Sequence, residues 1–145
     1  FLTGVILLHQ VTAKLSTEII LGATMGTLMM LNVWGIIWRN QKIVLGMKEG
    51  DAAVAGAKAG LASRTNTLFS VPMLMYMVYS AHGPGAYLVV DGWTTSSLFL
   101  GLAIIFAIEA NAIWGKMLPV ITSVRAVIIS SFVLAVALKL ITDLL

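Results

Sequence analysis

The sequence contains no cysteine. Within these residues that excludes disulfides, iron–sulfur clusters, thiolate metal sites and covalent haem attachment through C-x-x-C-H. Charge is also scarce: only 10% of the 145 residues are Asp, Glu, Lys or Arg, against about a quarter in a soluble domain. Histidine occurs twice, so imidazole ligation has two candidates, His9 and His82. There is no phosphate-binding glycine loop, no nucleophile elbow and no H-E-x-x-H. No polar stretch is long enough to form a separate soluble domain with its own active site. The net charge of +3 is small and implies no nucleic-acid partner.

What remains is apolar sequence. Hydrophobic residues make up 59% of the chain, more than a core of this size can hide, which makes a lipid bilayer the expected solvent. A spanning helix needs about 20 mostly apolar residues. Four stretches qualify: 16–38, 65–81, 94–115 and 119–142. The fold expected is all-α, an integral membrane bundle of four transmembrane helices forming a single domain over 1–145. Between the first two spans, DAAVAGAKAGLA (51–62) predicts a short helix at the interface with Asp51 as its N-cap. The opening FLTGVILL is too short to span alone and lacks the features of a signal peptide. It is expected to be a mature N-terminus or the tail of something longer.

The cations divide between two sides. Arg39, Lys42, Lys48, Lys58, Arg64, Lys116 and Arg125 fall on one side, Lys14 and Lys139 on the other. The positive-inside rule makes 39–64 cytoplasmic and puts both termini outside. Trp34, Trp38, Trp93 and Trp114, with Tyr76, Tyr79 and Tyr87, read mostly as an aromatic belt.

Polar residues at membrane depth are the informative ones. Glu109 lies inside FLGLAIIFAIEANAIWG, and an ionisable group there usually faces a partner or a cavity. Counting from the inner span ends puts Asn32, Glu109 and Arg125 at one depth, with Asn66 and Asn111 slightly nearer the cytoplasm. These five residues predict a buried polar layer, with Glu109 and Arg125 paired. A structural ion pair is the favoured reading of that pair; a proton path or a redox-cofactor contact is the functional alternative. His9 and His82 are candidate ligands for haem b, copper or zinc, although interfacial histidines that bind nothing are commoner. Met25, Met29, Met73 and Met77 suit copper handling less well than flexible packing. Gly22 and Gly26 form a G-x-x-x-G, a helix-packing face within the chain or against a partner.

NVWGIIWRNQ (32–41) and SRTNTLFSVPML (63–74) carry a family resemblance. Through Asn32, Val33, Trp34, Ile37, Trp38, Asn40 and Gln41, then Ser63, Arg64, Asn66, Ser70, Pro72, Met73, Leu74 and His82, the chain resembles the membrane domain of the bacterial membrane-bound urate hydroxylase family. These are cytochrome c-linked urate oxidases. Arg39 stands where the family pattern W-P-N-Q has proline. The likeness covers about residues 20–85 and weakens through the last two spans. It implies a bacterial cytoplasmic membrane and an activity that oxidises urate and passes electrons to a cytochrome. The function expected from residues and resemblance together is an accessory or structural subunit of a larger membrane-bound oxidoreductase complex. Its partners would be the lipid bilayer and other membrane subunits. The alternatives are a urate-hydroxylase-like redox enzyme domain, and a small proton-coupled transporter or channel using Glu109.

Overall fold

The computed structural model describes residues 16–82 and 95–144, with Ile6 alone before them. His9, Lys14, Tyr87 and Trp93 lie outside the described residues. The described chain is all-α and consists of four helices. Helix α1 runs from Thr17 to Val44. Helices α2 (Ala52–His82), α3 (Thr95–Trp114) and α4 (Val124–Leu144) follow.

Each described start has a local cause. Ser16 caps α1, its side chain accepting from the Ile19 N–H at 3.3 Å, with Glu18 in the first turn, where an acid suits the helix dipole. Asp51 caps α2 by accepting from the N–H groups of Ala53 and Val54 at 2.8 and 3.1 Å. Ser123 caps α4 through the Ala126 N–H at 3.0 Å. The turn between α1 and α2 is made by Gly46, whose φ of +70° places it in the left-handed region that glycine enters without strain.

Three helical segments are long and apolar enough to cross a membrane: Thr17–Val44, Ser96–Trp114 and Val124–Leu144. Their outward faces are greasy, for example Phe99 and Phe106 on α3 and Ile129, Phe132, Val133 and Val136 on α4. Contiguous apolar surface of this extent marks a surface meant for something other than water. Helix α2 is longest but less apolar, since Ser63, Arg64, Thr65, Asn66, Thr67 and Ser70 crowd its middle. It packs against every other helix. Of its polar residues, Asn66 reaches a neighbouring helix, while Thr65, Thr67 and Ser70 donate back to carbonyls of α2 itself.

Two expectations about elements change. The interfacial helix expected over 51–62 is not a separate element, because Ala52–His82 is one continuous helix. Gly56 and Gly60 weaken helix propensity, but Ala55, Ala59 and Ala62 are buried, and that small-residue face lets the neighbouring helix in close. Packing overrides propensity here. The fourth span begins later than 119: Pro119–Ile121 form a single 3-10 turn, and α4 starts at Val124.

Gly22 and Gly26 pack within the chain, facing α2. A Cβ on Gly22 would meet Met77 Cγ and Tyr76 Cβ at 3.3 Å, and one on Gly26 would meet Met73 Cγ at 3.9 Å. The methionines of α2 fill the groove that the glycines leave. Tyr76 is fully buried, against the expectation of a belt residue. Its hydroxyl lies 3.4 Å from Thr142 Oγ1 on α4.

Candidate functional site at the buried amide–carboxyl layer

Three helices each contribute one polar side chain to a single buried cluster. Asn32 comes from α1, Asn66 from α2 and Glu109 from α3; Asn32 is 1% exposed and Glu109 6%. The Asn32 amide nitrogen donates to Asn66 Oδ1 at 3.0 Å and to Glu109 Oε2 at 3.1 Å. The Asn66 amide nitrogen donates to the backbone carbonyl of Met29 at 3.0 Å. The order is Met29 carbonyl, Asn66, Asn32, Glu109. Turning the Asn32 amide over would set its oxygen against two other oxygens, so the two acceptors fix its orientation.

The Met29 carbonyl also receives the Val33 N–H, as does that of Met30. At that point α1 departs from α-helical geometry. Val33–Ile37 form a π-helical turn, closed by the Trp38 N–H donating to the Val33 carbonyl. Such turns insert one extra residue and are frequent at functional sites. Gly35 lies in the middle of it, where the absent Cβ lowers helix preference. After the turn, Asn40 donates back to the Ile36 carbonyl at 2.8 Å. Trp34, Trp38 and Gln41 stay exposed, and Arg64 is half-buried on α2.

Asn111 and Arg125 lie outside this layer. Asn111 turns to the end of its own helix and donates to the Lys116 carbonyl at 3.3 Å. Arg125 is exposed in the first turn of α4. The expected Glu109–Arg125 pair does not form; the one ion pair among the described residues joins Lys139 to Asp143. The cause is the 3-10 turn at Pro119–Ile121: α4 starts late, so Arg125 reaches the rim and not the interior.

A second polar link lies outside the layer expected from the sequence. Pro72 is buried inside α2 and has no N–H for the carbonyl four residues earlier, that of Leu68. Ser131 of α4 fills the gap. Its hydroxyl donates to the Leu68 carbonyl at 2.8 Å and accepts from the Val71 N–H at 3.3 Å. Away from water a freed carbonyl needs such a substitute. The signal was available as a proline in one apolar stretch and a serine in another.

Among the described residues no three His, Cys, Asp or Glu side chains converge. His82 is exposed at the last turn of α2. Two shallow concavities lie away from the layer. One, between α1 and α3, is lined by Ile20, Ala23, Thr24, Thr27, Leu28 and Phe106. The other lies along the outer face of α4 around Phe132 and Val136. The polar layer itself is a closed network in which each helix holds the next.

Neither the curated proteins nor the solved structures give a significant match to this sequence. The sequence model of the urate oxidase N-terminal family matches residues 2–139, nearly the whole length, and the chain belongs to that family.

Proposed function

We propose that this chain is a membrane-embedded helical module serving as an accessory or structural subunit of a larger membrane-bound oxidoreductase complex. All four helices, α2 included, would cross a bacterial cytoplasmic membrane, with 39–64 on the cytoplasmic side. The observation that carries the structural role is the closed chain from the Met29 carbonyl to Glu109. Its amide groups are spent on holding α1, α2 and α3 together, and the concavities described above lie elsewhere, on apolar faces. The cation asymmetry supports the orientation. Family membership supports the link to urate oxidation.

Solubilisation in mild detergent followed by native-gel separation and mass spectrometry tests this reading. The chain is expected to migrate with larger partners. Catalytic urate turnover by the isolated chain would overturn it in favour of a redox enzyme domain. A second reading rests on the Glu109 carboxyl, which is buried with an amide as its partner and, among the described residues, no cation. It makes Glu109 the carrier of a proton-coupled flux, and Glu109→Gln would then abolish that flux in vesicles.

A further inference from the structure

Helices α1 and α2 are longer than α3 and α4, and the extra length lies at one end. The buried layer serves as a ruler, at about 1.5 Å per helical residue. Trp114, the end of α3, is five residues beyond Glu109, about 7 Å. Ser131 bonds to Leu68, two residues to the outer side of Asn66. Val124 lies seven residues before Ser131, so α4 also ends about 7 Å inward of the layer. Trp114, the most exposed of the described tryptophans at 81%, marks that level as the edge of the hydrocarbon. The α1–α2 hairpin continues past it.

Three cations lie on the continuation. Arg39 is seven residues beyond Asn32, about 10 Å; Lys42 is ten beyond, about 15 Å; Lys58 is eight before Asn66, about 12 Å. They therefore lie about 3–8 Å past the ends of α3 and α4. A bilayer is about 40–45 Å thick with headgroups and about 30 Å without, which leaves about 5–8 Å of headgroup on each side. The two depths coincide. Arg39 and Lys58 are exposed and Lys42 half-buried, and no carboxylate among the described residues pairs with any of them. The Lys42 ammonium lies 5.1 Å from the centre of the Trp38 ring, which supports it from below. The nearby acids, Glu49 and Asp51, lie farther out at the hairpin tip.

We propose that Arg39, Lys42 and Lys58 form a binding site for anionic phospholipid headgroups, fastening the α1–α2 hairpin at phosphate level. An acidic protein would meet the same charge, but it would not explain why these cations fall within the headgroup layer next to exposed Trp38. This site depends on the membrane reading but not on the accessory-subunit role, so the two can fail separately.

Native mass spectrometry of the full chain, released from bilayers of equal phosphatidylglycerol and phosphatidylcholine, tests the site. Preferential retention of phosphatidylglycerol, on the order of tenfold, is expected, falling as salt rises. The triple change Arg39→Gln, Lys42→Gln, Lys58→Gln should bring retention near parity, with helical circular dichroism unchanged. Lys139→Gln, at the opposite end, should leave the preference intact. Where the triple variant fails to fold, Lys58→Gln alone should cut the preference about twofold, an equal share of the tenfold among three cations. Equal retention of both lipids by the native chain overturns the proposal. So does a triple variant that keeps its lipid preference while losing an acidic protein partner.

Discussion

The Asn32–Asn66–Glu109 layer and the Ser131 link both join helices, and they are built on opposite plans. In the Asn32–Asn66–Glu109 layer, side chains satisfy one another across three helices. At Ser131, one hydroxyl satisfies the carbonyl left open by Pro72 on a neighbouring helix. The first link exists because polar side chains were placed in the interior and had to be answered. The second exists because a proline removed a donor. Losing a member of the first therefore strands side chains, one of them ionisable. Losing the second strands a carbonyl that a backbone change can repair.

That difference orders the expected effects. Asn32→Leu leaves the Glu109 carboxyl and the Asn66 oxygen buried without their donor. Equilibrium unfolding in detergent should show a loss of about 2–3 kcal/mol. Ser131→Ala should cost about 1 kcal/mol, within the range for hydrogen bonds between membrane helices. In a Pro72→Ala background most of that cost should vanish, because residue 72 regains the N–H that serves the Leu68 carbonyl. A double-mutant cycle measures the coupling, and additive losses would mean that the hydroxyl does not repair the proline site. Arg125→Gln should change stability by under about 0.5 kcal/mol, since the side chain is exposed and unpaired with Glu109. A large loss there would revive the ion pair that the structure lacks.

The same contrast explains what the sequence could reveal. Apolar run length located the α3 span almost to the residue, because few polar positions interrupt it. Counting from span ends put Asn32 and Glu109 at one depth with Asn66 slightly nearer the cytoplasm, close enough that the three meet in one cluster. The count misplaced Arg125, since Pro119 diverts three residues into a 3-10 turn before α4 begins. The sequence set 51–62 apart as an interfacial helix, and the buried alanine face of α2 joins it to the second span in one helix. The π-helical turn at Val33–Ile37 has no periodic signature, and it lies inside the NVWGIIWRNQ motif that carried the family resemblance. The Ser131 link required pairing a proline with a serine 59 residues away, and hydropathy alone does not supply that connection.

The role of the Glu109 carboxyl decides between a structural and a chemical account of the layer. Glutamine keeps an oxygen that can accept from Asn32 but cannot ionise; leucine keeps neither. The decisive measurement is assembly and activity of the native complex carrying Glu109→Gln, with Glu109→Leu beside it. The structural account predicts that Glu109→Gln assembles and retains activity, while Glu109→Leu fails to assemble. A Glu109→Gln complex that assembles fully but has lost its activity or proton flux would contradict it.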